Sequence, residues 1–332
     1  MKKNTALGVF ALAAALLVPA TADAAGPPLP VAGNGNKVKV FATGVPVPVA
    51  YAFAGRDTFI AGGAEGPLKG GIYVVRPGST KAKKVPGTSS NAFGVAWSGG
   101  KLYASLGTSL AVFSKWNGRR FKSRKTILKA TKKDFTGFNG IAIGPDHRLY
   151  AGVTLEFDHK ASKKKYANSV ISVRKSGKDL KVVSTGLRQP WQMAFAKGQK
   201  SPIVTDLGQD KPKGTKAPDL IVKATPGSDF GFPKCNWSNA KTCEKFDLPI
   251  LILDPQPNSP SPMGIAAKGR KLYVAMFNGL KLTGPEVITT NTKGTVIRDF
   301  LTGFAAPVFS TAVHNGYVYA GDFTGTIYRV KG

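Results

Sequence analysis

Hydrophobic and polar positions alternate along this chain in short runs separated by tight, glycine-rich turns, and the same arrangement recurs six times. Each unit has a short apolar strand, a turn and a second strand that ends in a small residue. An alanine occupies the same point of every first strand, and the six are Ala52, Ala96, Ala142, Ala194, Ala266 and Ala312. The spacings between them are 44, 46, 52, 72 and 46 residues. Such self-similarity indicates a repeat architecture.

A third segment, rich in β-branched residues, follows each pair and predicts a third strand. These segments begin at Gly71, Ser109, Ser169, Asp219, Glu286 and Thr326. A fourth strand ends in a shared Thr-Gly turn at Gly186 and at Gly303. Six units of this kind predict an all-β, six-bladed β-propeller, in which alanine fits where the inner strands crowd around the axis. A β-sandwich also has short strands, but it would not repeat one alanine-bearing motif six times.

The last unit and the first residues of the repeat region complement each other. The sixth unit stops at Gly332 without a fourth strand, whereas residues 37–44 carry the fourth-strand ending without a preceding unit. We predict that this N-terminal strand completes the last blade, so that pairing between the two ends of the chain closes the ring and removes the open sheet edges.

The N-terminus carries the features of an export signal. Lys2 and Lys3 precede an apolar run of 15 residues and the small-residue cleavage pattern Ala22-Asp23-Ala24. The run is too short to cross a bilayer core of about 30 Å. We therefore predict a signal peptide over residues 1–24, a linker over 25–35 and a propeller over 36–332. The protein is expected to be extracellular or periplasmic, monomeric and without a transmembrane anchor.

The two cysteines, Cys235 and Cys243, lie in a loop rich in Asn, Ser and Lys. Exported chains meet oxidising conditions, so a local disulfide is the main prediction and a buried thiol pair is the alternative. A redox motif needs the closer spacing of Cys-x-x-Cys.

The charge of the chain is strongly positive, with 47 Lys and Arg against 18 Asp and Glu and a formal net charge of +29. Such a charge predicts attraction to an anionic cell-wall or surface polymer. The alternative is solubility together with protection of strand edges by lysine, because the basic runs are scattered through every unit. The sequence lacks the interleaved basic and aromatic residues of a nucleic-acid-binding groove, so it predicts no specific nucleic-acid partner.

Loops of variable length join the second and third strands of each unit, and they lie on one face of the predicted propeller. The turns between first and second strands lie on the opposite face and are uniform, so the functional site is expected on the face with the variable loops. Six acidic residues fall in these loops: Glu65, Glu156, Asp158, Asp206, Asp210 and Asp322. Carboxylates suit Ca²⁺, and the candidate metal ligands are Glu65, Asp206 and Asp210. The alternative is that such aspartates accept hydrogen bonds from local backbone amides.

Residues that lead into the inner strands add a polar rim to the same face. They are Asn91, Asn139, Gln189, Trp191, Gln192, Ser261 and Ser310. Trp191 is either a stacking platform for a sugar or flat cofactor, or a plug in the channel. Of the three histidines, His147 and His314 fall in turns of the opposite face and His159 in a Lys-rich loop. No Ser-His-Asp, metal-binding histidine or phosphate-loop motif is present.

Five stretches carry a resemblance to a known family. They are Thr185-Gly186-Leu187-Arg188-Gln189-Pro190-Trp191 with Thr205-Asp206-Leu207-Gly208-Gln209-Asp210 and Pro218-Asp219-Leu220, then residues 226–235 (PGSDFGFPKC), then Ser261-Pro262-Met263-Gly264-Ile265. The chain thereby resembles the glucose/sorbosone dehydrogenase family of β-propellers, which use pyrroloquinoline quinone (PQQ). The match covers the third to fifth units.

The resemblance implies oxidation of a sugar or alcohol at the channel mouth, with Ca²⁺ helping to hold PQQ. It implies that Asp206 and Asp210 organise the cofactor-side loop, that Asn139 and Gln192 contact substrate and that Trp191 stacks. The family's catalytic histidine is missing from residues 135–140, so no catalytic base is assigned. Lys281 is the candidate for binding the quinone carboxylates, and Gln189 belongs to the ligand-binding rim.

Asn139-Gly140-Ile141-Ala142 with Gly144-Pro145-Asp146 is also similar to the gluconolactonase-type propellers, which hold one divalent metal; Glu65 and Asn139 would be two of its ligands. Three functions remain open: a PQQ-type sugar or alcohol dehydrogenase, a non-catalytic extracellular binding propeller, and a metal-dependent lactonase-like hydrolase.

Overall fold

Six β-sheets make up the protein. A computed structural model describes residues 28–63, 69–88, 91–210, 217–255, 258–280 and 284–332. The strands of the first three units, with two short N-terminal strands, are β1 Val31–Ala32, β2 Lys39–Ala42, β3 Pro48–Ala54, β4 Asp57–Gly62, β5 Gly71–Val75, β6 Lys83–Lys84, β7 Gly94–Ser98, β8 Lys101–Ser105, β9 Ser109–Trp116, β10 Phe121–Lys129, β11 Phe138–Ile143, β12 Leu149–Val153, β13 Ser169–Val173 and β14 Lys181–Thr185. The strands of the last three units are β15 Pro190–Ala194, β16 Ile203–Asp206, β17 Asp219–Lys223, β18 Ser228–Asp229, β19 Leu251–Leu253, β20 Pro262–Lys268, β21 Lys271–Met276, β22 Glu286–Asn291, β23 Ile297–Thr302, β24 Val308–His314, β25 Tyr317–Asp322 and β26 Ile327–Lys331. A short 3-10 helix covers Ala240–Cys243.

The sheets are the six blades of a propeller, as the repeats predict. Blades one to three contain β3–β6, β7–β10 and β11–β14; blade four contains β15, β16, β17 and β19; blade five contains β20–β23; blade six contains β24–β26 and β2. The first strand of each blade contacts the first strand of the next, and the sixth returns to the first. These six inner strands surround a central channel. The predicted fold class is therefore confirmed.

Pairing between the two ends of the chain closes the ring, as predicted. Strand β2 is the outer strand of blade six and runs antiparallel to β26, with Lys39 opposite Arg329 and Val40 opposite Tyr328. Within the predicted linker, β1 pairs with β23 and so adds a strand to the outer edge of blade five. The N-terminal segment thus bridges the last two blades.

The repeated alanines line the central channel. All six face two cavities of about 390 and 220 Å³ along the axis. The recurrence of alanine in the sequence therefore corresponds to one equivalent position in each of the six inner strands.

The channel is closed at one end and open at the other. We call the face where the inner strands begin the loop face, and the face that carries the hairpin turns between first and second strands the turn face. In β7, Gly94 and Val95 are buried whereas Ala96, Trp97 and Ser98 are partly exposed. Inner strands β3, β11, β15, β20 and β24 show the same trend towards exposure at their ends. Solvent therefore enters the channel from the turn face.

A disulfide joins Cys235 and Cys243, as predicted, and no described cysteine is free. Both cysteines are buried, and they pack beside Phe230 and Trp237 in the core next to blade four. The bond therefore fixes the long connection between β17 and β19. No helix among the described residues has the length and apolar character needed to span a membrane.

Candidate functional site

Five aromatic side chains gather at the loop face, where the channel is closed. We call them the mouth cluster: Phe93, Trp191, Phe277, Phe309 and Phe323. Phe93 precedes β7, and Trp191 and Phe309 are the second residues of their inner strands. Phe277 and Phe323 directly follow the second strands of blades five and six. Inner strands begin where second strands end, so all five side chains meet at one end of the axis.

Trp191 plugs the channel at this face. Its ring lies 5.8 Å from the ring of Phe93 in blade two and 6.3 Å from that of Phe309 in blade six. Neither blade is next to blade four, so the indole reaches across the axis. Its exposure is 5%. Its Nε1 has no hydrogen-bond partner among the described residues, so packing holds it in place.

The four phenylalanines of the mouth cluster are partly exposed and surround the buried indole. Phe277 meets Phe309 and Phe323 edge to face, with ring centres 5.8 and 6.2 Å apart. Phe309 and Phe323 are 6.0 Å apart. Aromatic pairs prefer such edge-to-face arrangements. The result is a partly exposed aromatic surface that can pack against the apolar face of a ring-shaped ligand.

The polar residues predicted to contact substrate are largely engaged with the backbone. Asn139 Nδ2 donates to the Pro190 carbonyl at 2.9 Å and thereby ties blade three to blade four. Gln192 Nε2 donates to the Phe93 carbonyl at 2.7 Å, across the channel. Both side chains are buried. They hold the backbone of the mouth cluster in place, and the structure brings both of them next to Trp191, as the sequence pattern places them.

Arg188 organises the acidic part of the loop face. The guanidinium is buried, and its Nε donates to Asp158 Oδ1 at 2.6 Å. It also contacts Asp210 Oδ2 at 3.3 Å and the Leu207 carbonyl at 3.2 Å. Asp158 in turn pairs with His159 Nε2 at 2.9 Å. A buried cation requires such partners, because the charge would otherwise be left without solvation.

Asp206 and Asp219 are buried carboxyls that accept backbone hydrogen bonds. Asp206 accepts from the amides of Gln189 at 2.7 Å and Arg188 at 3.1 Å. Asp219 accepts from the amides of Gly208 and Ser261, each at 2.8 Å. Burial disfavours the charged form, and it raises the pKa of Asp206 to about 7 and the pKa of Asp219 to about 6.

Asp206 and Asp210, the two candidate metal ligands among the described residues, are engaged by other groups. Asp206 is engaged by backbone amides, and Asp210 is paired with Arg188 on a side chain that is 81% exposed. Asp322 accepts from the amides of Thr324 and Thr326 inside its own turn. Within the described ranges, no three His, Cys, Asp or Glu side chains are arranged to hold a metal ion. These contacts match the alternative in which loop aspartates accept backbone amides.

Two of the predicted site residues lie outside the described residues. They are Glu65, a candidate metal ligand, and Lys281, the candidate for binding the quinone carboxylates. The predicted signal peptide also lies outside them. Gln189 is buried beside Arg188, whose Nη1 lies 3.4 Å from its Oε1.

The histidines lie away from the mouth cluster. His314 ends β24 at the turn face, where its ring stacks on Phe53 at 4.1 Å, and burial lowers its pKa. It lines the larger cavity. His147 lies in the turn between β11 and β12, at the same face. His159 is partly exposed beside Asp158. The described loop face therefore offers no histidine in contact with the aromatic surface.

Sequence reasoning missed four phenylalanines and Arg188. The phenylalanines had a recognisable signal: each lies beside the start of an inner strand or directly after a second strand, which are the positions that face the axis at the loop face. Arg188 had no signal of its own, because one more arginine in a chain with 47 basic residues does not stand out. Its role depends on burial, which only the fold provides.

Comparison with solved structures supports the architecture. The PQQ-bound aldose sugar dehydrogenase of Streptomyces coelicolor is 19% identical, with a TM-score of 0.70, and the match covers 91% of this chain and 99% of that protein. A carbohydrate-active enzyme of family AA12 from Trichoderma reesei is 14% identical, with a TM-score of 0.74, over 94% of this chain and all of that one (100%). A luciferin-regenerating enzyme is 16% identical, with a TM-score of 0.60, over 90% and 96%. No protein-family model and no curated protein matches the sequence. At these identities the likeness establishes the fold and leaves the activity to the site.

Proposed function

We propose that this protein is a sugar-binding β-propeller, whose ligand lies on the mouth cluster at the loop face. The observation that carries this function is the group of four partly exposed phenylalanines around the buried Trp191. The C–H groups on one face of a pyranose ring pack against such an aromatic surface, while its hydroxyl groups remain available to the surrounding polar side chains.

Two features support a sugar over a purely apolar ligand. The surface lies on the side of the propeller that carries the variable loops, where ligands of such scaffolds bind. Sugar-oxidising enzymes also share the architecture, including the aldose sugar dehydrogenase and the family AA12 protein.

The second candidate function is PQQ-dependent oxidation of a sugar or alcohol at the same place. The architecture shared with the PQQ-bound dehydrogenase favours it. The described residues do not fit the groups that this function needs. No described cluster of carboxylates would hold Ca²⁺. PQQ carries three carboxylates that require cationic partners, and Arg188 is already paired with Asp158 and Asp210. The sugar-binding function needs neither group, and it therefore comes first.

A glycan array followed by calorimetry tests the proposed function. We expect the protein to bind a subset of neutral oligosaccharides. The double variant Phe309→Ala/Phe323→Ala should bind the best of them about tenfold or more weakly, since aromatic anchors dominate such contacts. The variant His314→Ala changes the opposite end of the channel and serves as the matched control, with unchanged affinity expected. Absence of binding across the array, or equal losses in both variants, would refute the proposal.

A titration with PQQ, with and without Ca²⁺, tests the second candidate. Saturable binding that depends on Ca²⁺ and raises the melting temperature would support a dehydrogenase, since a ligand selective for the folded state stabilises it. If neither the absorbance of PQQ nor the melting temperature responds, the dehydrogenase is excluded and the sugar-binding function stands alone.

A further inference from the structure

About half of the net positive charge of this protein lies in one segment of the chain. Residues 66–133 contain 15 Lys or Arg and no Asp or Glu. All 18 acidic residues lie before or after this segment. The segment includes the whole of blade two, from β7 to β10. One blade therefore carries cations without compensating acidic residues in its own sequence.

The cations of blade two are displayed on its outermost strand. Strand β10 has nine residues, and five of them in succession, from Lys122 to Thr126, are exposed. We define the basic edge as the cationic residues of β10 and of the turn before it: Arg119, Arg120, Lys122, Arg124, Lys125 and Lys129. All six are exposed. At about 3.3 Å per residue, the nine residues of β10 extend about 30 Å, and their side chains alternate between the two faces of the strand.

No described carboxylate neutralises the basic edge. None of the ion pairs within 4.0 Å among the described residues involves any of its six members. Blade three offers a contrast, because Arg148, Arg174 and Lys181 all lie within 4.0 Å of Asp179. Uncompensated cations in a row produce a local positive potential that attracts a linear polyanion.

The backbone of the basic edge is also available. In the described part of the chain, β10 pairs only with β9, and no further strand lies along its exposed stretch from Lys122 to Thr126. Two other outer strands are covered: β18 lies along β14, and β1 lies along β23. An extended ligand lying along β10 therefore meets both cationic side chains and backbone donors.

We propose that the basic edge binds a linear anionic polysaccharide. Two other polyanions fit less well. A membrane surface requires apolar side chains that enter the bilayer interface. None of the exposed large hydrophobic residues lies between residues 109 and 129. Single-stranded nucleic acid requires exposed aromatic rings for base stacking. In this region Phe113, Trp116 and Phe121 instead pack against one another and against Phe59 in the core.

The basic edge also protects an open strand from pairing with other chains, because lysine on an edge strand opposes edge-to-edge association. That role explains charge on β10 but does not predict any preference for a polymer. Binding to a polyanion, and its loss when this one edge is neutralised, therefore separates the proposal from edge protection alone. The proposal stands apart from the sugar site of the loop face, because no member of the mouth cluster belongs to the basic edge.

Binding of the full chain to polygalacturonate, a linear uronic-acid polymer, tests the proposal by calorimetry in 50 mM salt. The test variant replaces four members of the basic edge that have no side-chain partner among the described residues: Arg120→Gln, Lys122→Gln, Lys125→Gln and Lys129→Gln. The matched control removes the same charge from the turn face of blades four and five: Lys197→Gln, Lys200→Gln, Arg270→Gln and Lys271→Gln. All eight positions are exposed. Melting temperatures establish that both variants are folded.

We expect the test variant to bind about tenfold or more weakly, because four of the six cations that would contact the polymer have lost their charge. The control should bind within about twofold of the wild type. Equal losses in the two variants would show that net charge alone attracts the polymer, and would overturn the proposal. No binding to polygalacturonate would overturn it as well. Tighter binding to duplex DNA or to anionic vesicles than to polygalacturonate would overturn the assignment to a polysaccharide.

Discussion

Trp191 determines which end of the channel is closed. Its indole spans from blade four to contacts in blades two and six, and no described group accepts its N–H. We predict that Trp191→Ala lowers the free energy of unfolding by about 3–5 kcal/mol, because it leaves a cavity on the axis. Trp191→Phe should cost clearly less, since it keeps a ring and removes an unpaired donor. Chemical denaturation measures both. Equal costs would mean that the indole does not fill the channel.

Asp206 makes stability depend on pH. Its pKa is about 7 in the folded protein, against an ordinary value of about 3.9, so the folded state binds this proton more tightly than the unfolded state. The resulting stabilisation is complete below the ordinary pKa and is lost as pH rises through about 7. We predict a higher melting temperature at pH 5 than at pH 8.

The variant Asp206→Asn is the control for this pH effect. It removes the titrating group, so the difference in melting temperature between pH 5 and pH 8 should shrink, with Asp219 supplying what remains. A wild type that is more stable at pH 8 than at pH 5, or a variant with an unchanged difference, would contradict this account.

Strand β2, from the N-terminal end of the chain, completes blade six as its outer strand. A chain that begins at residue 44 lacks this strand and leaves β26 as an open edge. We predict a lower unfolding midpoint and self-association, because an unpaired strand is a template for pairing with other molecules. A chain that begins at residue 37 keeps β2 and is the matched control. Scanning calorimetry and size-exclusion chromatography compare the two. Equal midpoints and equal elution would show that closure contributes nothing.

The disulfide stabilises the long connection between β17 and β19. It closes a short loop, with a sequence separation of 8 residues. We predict that the double variant Cys235→Ser/Cys243→Ser loses about 2–3 kcal/mol of unfolding free energy, as loop-closure entropy suggests for a loop of this size. The wild type measured in reducing buffer should show a similar loss. An unchanged denaturation midpoint in both would contradict the prediction.

The elements of this fold can be predicted from its sequence because they repeat. The alanine of each inner strand, the β-branched third strand and the split sixth blade each leave a local pattern, and the structure confirms all three. The site is harder to predict, because its properties depend on which side chains cross the axis. The sequence is compatible with Trp191 as a stacking platform or as a channel plug, and only its neighbours in blades two and six decide between the two. The sequence is likewise compatible with the loop aspartates as metal ligands or as acceptors of backbone amides.

At the scale of the whole molecule, charge opposes compactness. The formal net charge is +29, and the positive side chains repel one another in the folded state. Salt screens this repulsion, because the Debye length falls from about 30 Å at 0.01 M to about 8 Å at 0.15 M ionic strength. We predict that the melting temperature rises when salt increases over this range. A melting temperature that falls with added salt would show that attractive ion pairs, such as those of Arg188 and Arg148, outweigh the repulsion.

The molecule has two distinct ends. The loop face is closed by aromatic side chains, whereas the turn face is open to a channel lined by alanine, Trp97 and His314. Propellers with this architecture include enzymes of several kinds, so the fold alone does not determine the activity. The proposed function therefore depends on which end of the channel binds a ligand.

A crystal structure with the tightest-binding neutral oligosaccharide from the array decides between the two ends. We expect a sugar ring packed on Phe277, Phe309 and Phe323 at the loop face. A neutral sugar bound in the channel beside His314, or along the outer strands away from the mouth cluster, would contradict the proposed function.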